Sequence, residues 1–325
     1  MRGIYIMAHE IEIVNGEAKM AYVGETPWHG LGTELPADVT PTEMMVAAGL
    51  DWKVEKHALQ YRHEGDIKTA GDKRALVRSS DGAMLDIVSE SWNPVQNEQA
   101  FDFFQEFCDA GDMTMHTAGS LKGGQMTWVL AKVNESFDLF QGDQVDNYLL
   151  FSNPHKFGAA IDVRMTPVRV VCNNTLTMSL KGKATTGMKL NHRTEFNKEL
   201  ALETLGLASE KLEMYKEMAG FLGSKRYTEE TVVEFFNRVF PKTNGGKFEK
   251  FASRNSQAAY ELLETQPGAN FAQGSWWTAF NAVTYLTDHH MGREQEGRLY
   301  NSWYGYNKDR KRNAAELAVE MAEVA

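Results

Sequence analysis

Cysteine is scarce in this 325-residue chain, and so is any long apolar run. The two cysteines, Cys108 and Cys172, lie far apart, and neither has a Cys or His neighbour at metal-ligand spacing. That excludes a disulfide framework and a zinc ribbon, and two reduced, buried thiols are the expectation, although spacing alone leaves a Cys108–Cys172 bridge open. No stretch approaches the length of a membrane span, so an integral helical membrane protein is excluded. The apolar patch at Ile4–Met7 is too short for a signal-peptide core and is followed at once by charge, so the expectation is a cytoplasmic protein. A basic surplus is also missing. The 44 acidic against 34 basic residues give a formal charge of −10, which argues against coating duplex DNA through the overall field but leaves room for a local basic groove.

Signature motifs are absent as well. Gly119-Ser120-Leu121-Lys122-Gly123-Gly124 and Gly182-Lys183-Ala184-Thr185-Thr186-Gly187 look like phosphate loops, but neither is followed by the Lys-Ser/Thr pair that contacts phosphate and magnesium. No G-x-G-x-x-G, G-x-S-x-G or H-E-x-x-H occurs, so ATP use and serine hydrolysis lose support. Adjacent histidines in Asp288-His289-His290 would point about 100° apart on a helix and could not easily share an ion. Imidazoles beside the last carbonyls of a helix are the simpler reading, and neither a metal nor a cofactor is expected.

What is present reads as an α+β chain. Ile11–Val14 and Ala18–Val23 flank Asn15-Gly16, a two-residue hairpin signal, because those residues tolerate positive φ. Thr40, Pro41 and Glu43 spell a capping box for a helix over 41–48 that Gly49 stops. Trp52–Tyr61 predicts a strand, and Ala75–Arg78 and Met84–Ser89 a hairpin across Asp81-Gly82. A helix opens near Asn93-Pro94-Val95-Gln96 and runs to Ala110, with Phe101, Phe104, Phe107 and Cys108 at helical spacing. Strands are expected at Thr114–Ala118, Met126–Val133, Tyr148–Ser152 and Ala159–Arg164, then a helix from Thr166-Pro167 to Leu180. The order helix, antiparallel meander, helix gives helices laid on one face of a sheet. From Glu195 only helices are expected, among them Thr228 onward, Arg254–Leu263, Trp276–Asp288 and Arg310–Val324. The expected division is 1–194 as an α+β domain and 195–325 as a helical region.

The sharpest chemical feature is a run without acids. Residues 163–194 contain Arg164, Arg169, Lys181, Lys183, Lys189 and Arg193 and no Asp or Glu. His155, Lys156 and Phe157 lie just upstream in a loop between predicted strands. Cations beside an aromatic are what a single-stranded nucleic acid requires, for phosphate neutralisation and base stacking. A solvated helix face and loop is the competing reading. Trp28-His29-Gly30-Leu31-Gly32-Thr33 combines two glycines, which permit close backbone approach, with a stacking ring and a titratable one; a tight turn with Trp28 in the core is the alternative. Asn173 and Asn174 are poor interior helix residues, so a buried hydrogen-bonding role is expected of them.

Three separated motifs carry a resemblance. The Trp28-to-Thr33 segment resembles the motif of the phage and plasmid "LGT" proteins, within the domain-of-unknown-function family 932. Arg169-Val170-Val171-Cys172-Asn173-Asn174-Thr175-Leu176 resembles the central motif, and the stretch from Trp277 through Asn281 and Asp288 to His289, with Arg298 to Trp303 and Gly305 behind it, resembles the C-terminal signature. The match runs in order from about 7 to 322. The resemblance implies a phage, prophage or plasmid gene in a host cytoplasm and supplies no catalytic residue. Element order is similar in outline to phage single-strand annealing recombinases, a comparison by analogy. The leading expectation is therefore an oligomeric, ATP-independent protein that binds single-stranded DNA and promotes annealing through Arg164, Arg169, Lys181 and Lys183, with Lys156 and Phe157 at the groove edge and Lys189 and Arg193 behind. A host-protein binder of anti-defence or takeover type, favoured by the acidic charge, is the second reading. A metal-dependent nuclease using Asp288 and nearby acids is the third.

Overall fold

The structure is a computed structural model that describes residues 11–24, 30–140, 142–169, 174–175, 187–190, 192, 213–241, 250–291, 301–302 and 305–324. The chain forms two compact units, each assembled from three stretches: Met1–Asn134, Tyr148–Arg164 and Gly187–Leu205 in the first, Glu135–Asn147, Met165–Thr186 and Gly206–Ala325 in the second.

Strands dominate the N-terminal half. Asn15 and Gly16, at φ 54° and 87°, turn β1 (Ile13–Val14) into β2 (Glu17–Ala18), as the Asn-Gly signal predicts. An eight-stranded sheet follows the order β12 (Asn174–Thr175), β11 (Ile161–Arg169), β10 (Gln144–Pro154), β9 (Met126–Asp138), β8 (Met113–Leu121), β3 (Met20–Val23) and β4 (Thr33–Leu35), with β13 (Gly187–Leu190) also on β11. β3 and β4 run parallel, while β8 is antiparallel to both β3 and β9. Gly119 sits opposite Trp128 in that last pair, and a Cβ there would fall 2.3 Å from the indole. The phosphate-loop look-alike is thus a strand end and a turn, with glycine required by packing.

A second sheet of β5 (Val54–His63), β6 (Asp66–Arg78) and β7 (Met84–Ser89) carries a long hairpin. Its turn, Glu64-Gly65, has positive φ at both residues, and every residue from 60 to 69 is exposed. Arg78 at the end of β6 is buried, paired with Glu12 and with Asp81, and its guanidinium lies 5.5 Å from the Trp52 ring. The hydrogen bond to Asp81 and the Glu12 carboxylate raise the Arg78 pKa further, against the cost of burial.

The first helix, α1 (Pro41–Ala47), begins as its sequence dictates. Glu43 N–H donates to Thr40 Oγ1 at 3.3 Å, and the Glu43 carboxylate accepts from Thr40 N–H at 2.9 Å and from Thr40 Oγ1 at 2.8 Å, bonds that hold its pKa below the ordinary value. The second, α2 (Asn97–Asp109), buries Phe101, Phe103 and Phe104 at about 1.5–3 kcal/mol each. Both helices pack together and against β8. Cys108 is half-buried and its thiol is pushed up by burial and by Asp109.

The helical unit contains α3 (213–224), α4 (Glu229–Val239), α5 (Arg254–Thr265), α6 (Trp276–Tyr285) and α7 (Tyr306–Glu323). Its core joins Tyr215, Phe235, Phe236, Trp276, Trp277 and Phe280. Nearly every residue of α6 is buried, Thr278, Asn281 and Thr284 included, so this helix is enclosed on all faces and runs through the centre of the unit. Ala314, Ala315, Ala318 and Ala322 of α7 are buried too, and small side chains at that spacing let α6 and α7 approach closely. Residues 135–147 add Phe137, Leu139 and Phe140 to this core. A Cβ on Gly223 would meet the Phe140 ring at 2.3 Å.

The α+β class is as expected, with one correction in the middle. The helix expected from Thr166-Pro167 is strand at its start: β11 continues to Arg169 and pairs with β12, Val168 opposite Thr175 and Arg169 opposite Asn174. Proline biases the residue before it toward extended backbone, and Val168, Val170 and Val171 favour strand over helix.

Candidate functional site

Eight residues were expected to contact nucleic acid. Lys156 and Phe157 follow β10 in a short loop, where Phe157 is 67% exposed. Its backbone N–H donates to Asp86 Oδ2 at 2.7 Å, while Ile87 N–H occupies Asp86 Oδ1. The ring is therefore displayed from a fixed backbone. Arg164 in β11 is only 11% exposed and lies 3.4 Å from Asp162, so it forms an internal ion pair rather than a free cation. Asp162 stands one residue before the acid-free run begins. Arg169 lies further along β11 and Lys189 in β13, in register with Asp162. Lys181, Lys183 and Arg193 lie outside the described residues.

The motif residues divide similarly. Gly30 and Gly32 adopt φ 67° and 110°, and a Cβ on Gly32 would meet the Met20 carbonyl at 3.1 Å, so close backbone approach does require glycine there. Asn174 lies in β12, opposite Arg169, and not in a helix. Trp28, His29, Cys172, Asn173 and Trp303 lie outside the described residues. In the helical unit, Asn281 Nδ2 donates to the Trp277 carbonyl at 2.8 Å.

Asp288 occupies a π-helical turn, Leu286–His290, that continues α6. Its carboxylate accepts from Lys311 Nζ and from Ser302 Oγ, both at 2.8 Å, and Lys311 is fully buried. Asn307 Nδ2 donates to the Thr287 carbonyl at 3.0 Å, tying α7 to the widened turn. The arrangement is an ionic lock inside the helical unit. A carboxylate held by an ammonium and a hydroxyl is poorly placed to bind a metal, and no group of three His, Cys, Asp or Glu suited to one occurs among the described residues. His289 and His290 lie against the Tyr285 ring, at 4.6 and 5.3 Å.

A second buried polar network, in the sheet-rich unit, escapes sequence reasoning. His155, expected in the loop with Lys156, is fully buried. Its Nε2 lies 3.1 Å from Asn97 Oδ1, which also accepts from Thr127 Oγ1 at 3.0 Å. Asn97 Nδ2 donates to the Leu50 carbonyl, and Asn153 Nδ2 to the Val95 carbonyl. His192 stacks on Trp92 at 4.0 Å and contacts the Asn93 carbonyl through Nδ1. Burial, with the charge of nearby His192 second, lowers the His155 pKa to about 3. Burial also lowers that of His192, against the pull of the Asn93 carbonyl. Residues 97, 127, 153, 155 and 192 have no spacing signature, because strand register and not sequence brings them together.

A family model described as a domain of unknown function, DUF932, matches residues 84–315. That span includes both buried networks and leaves out Trp28 to Thr33, so it bears on the family and not on the narrower LGT label. No curated protein and no solved structure matches the chain.

Proposed function

This chain belongs to the DUF932 family, and from that premise we propose that it is a phage or plasmid protein that binds single-stranded DNA and promotes annealing without ATP in the host cytoplasm. The observation that carries the reading is Phe157, an aromatic ring 67% exposed on a loop pinned to Asp86, beside Lys156 and six residues before the acid-free run. Stacking of one base on such a ring contributes about 1–3 kcal/mol and tolerates any base. Lys181, Lys183, Lys189, Arg169 and Arg193 supply phosphate contacts. Arg164, already paired with Asp162, organises β11 instead. Annealing requires no covalent chemistry, and lateral association of subunits would align their grooves.

Fluorescence anisotropy with a labelled single-stranded oligonucleotide, at low and high salt, tests this. Salt-sensitive binding with weak duplex affinity is expected, and Phe157→Ala should weaken it by about 5–150-fold, the equivalent of one lost stack. Replacing Lys181 and Lys183 by Glu should abolish it with the fold intact. Absence of binding at low salt removes the reading. A host-protein binder is then favoured by the net charge of −10 and by Tyr61 and Ile67, exposed on the β5–β6 hairpin.

A further inference from the structure

Strand β5 ends its sheet, with β6 on one side and no strand on the other among the described residues. Which of its backbone groups face the open side follows from both ends. At the start, Val54 N–H donates to Gln96 Oε1 at 2.9 Å and the Val54 carbonyl accepts from Gln96 Nε2 at 3.1 Å, so Val54 faces outward. At the tip, His63 pairs with Asp66 across the Glu64-Gly65 turn, and residues that close a two-residue turn bond each other, so His63 faces β6. Alternation from either end gives one answer. Lys56, Ala58, Gln60 and Arg62 present N–H and C=O to the open side, and Gln96 closes that edge at Val54 alone.

The opposite edge of the sheet is covered from within the unit. On β7, the Leu85 carbonyl accepts from Gln125 Nε2 at 2.7 Å, and the Asp86 carboxylate holds the Phe157 N–H at 2.7 Å. Along β5, every residue from Glu55 to His63 is exposed except Leu59, which is half-buried. An open edge that also displays Tyr61, 50% exposed, is a template for a further strand. A two-stranded tip is marginal without one.

A second β5 fits this edge in one register. Two identical edges related by a two-fold axis run antiparallel, and the position of the axis fixes every pair. An axis at Leu59 sets Lys56 against Arg62, which repel. An axis at Ala58 sets Arg62 against Val54, where Gln96 already lies. An axis at Tyr61 sets Leu59 against His63. At Gln60 the pairs match: Leu59 meets Tyr61, and Glu64 meets Lys56, whose ammonium donates to the Glu90 and Trp92 carbonyls and keeps its charge. We propose that two copies of this chain join through β5, antiparallel about Gln60, and merge their three-stranded sheets into one. The contact is self-limiting, because the two-fold closes it and Gln125 covers β7 at the far side. Paired strands fall short of the roughly 20–30 residues a side of a standard interface, so micromolar association is expected. The proposal does not depend on DNA binding.

Sedimentation velocity of the full chain at rising concentration should show monomer passing to dimer. Gln60→Cys puts a cysteine on the axis, where Cα atoms of a hydrogen-bonded pair lie about 5.5 Å apart, within disulfide reach. Mild oxidation should link that variant into a covalent dimer on a non-reducing gel. Wild type, which controls for Cys108 and Cys172, and Thr69→Cys, opposite Gln60 on β6, should stay at background. Arg62→Pro removes an outward N–H and spares the β6 ladder, so two symmetry-related bonds are lost and the dimer should weaken at least about tenfold. Near-UV circular dichroism reports whether that variant folds; if it does not, the Gln60→Cys link decides. A monomer at every concentration, which would leave the edge to a strand of another protein, overturns the proposal. So does an assembly that Gln60→Cys links no better than Thr69→Cys, or a dimer unchanged in folded Arg62→Pro.

Discussion

In the helical unit, Asp288 receives Lys311 and Ser302 at 2.8 Å each, and a full charge pair sits in the interior with its partners in place. In the sheet-rich unit the buried Arg78–Glu12 pair is likewise closed, by Asp81 and Ser120, while among the neutral side chains His155, His192 and Asn153 each keep an atom unmet among the described residues. The larger electrostatic cost therefore lies where the protein compensates it internally. The smaller one lies where buried neutral groups are incompletely paired among the described residues. Burial alone does not mark a functional site.

The comparison can be broken most forcefully at the lock. Lys311→Met leaves Asp288 buried beside a neutral donor and should cost about 3–5 kcal/mol in urea unfolding, whereas combining Lys311→Met with Asp288→Leu should recover much of it. A cost near zero would mean water reaches Asp288. Next is pH. His155 titrates at about 3 when folded, well below its ordinary 6.5, so the unfolded chain binds the extra proton between those values. The protein should thus lose stability as pH falls from about 6.5 toward 3, with a slope up to about 1.4 kcal/mol per pH unit, flattened in His155→Gln. A slope unchanged by that variant would place the titration elsewhere. Ser302→Ala removes one donor to a charged acceptor and should cost about 1.5–3 kcal/mol by thermal unfolding. The smallest effect is Thr127→Val, which removes a neutral donor to Asn97 and should cost about 1 kcal/mol.

Local chemistry was legible where neighbours in sequence decide the outcome. Thr40, Pro41 and Glu43 fix α1, Asn15-Gly16 fixes the first turn, and Thr228 caps α4 through Thr231. Boundaries set by pairing were not. Strand β6 begins at Asp66, within a stretch rich in Asp, Lys and Gly that strands ordinarily avoid, and β11 outruns Thr166 because β12 pairs with it. Of the residues proposed to contact nucleic acid, Phe157 is exposed and Lys156 only partly so, while Arg164 is taken up by Asp162, a residue just outside the window that made the run look basic. The histidine network was illegible, since His155 and His192 share no helix face or motif. The π turn was equally hidden, because it emerges from packing around Asp288 and not from any residue preference.

The β5–β6 hairpin has a practical use. Residues 60–69 are all exposed, and the Glu64-Gly65 turn closes the hairpin at its tip. A single fluorophore attached at Glu64, or a short peptide inserted after it, would report on ligand capture while leaving both buried networks untouched.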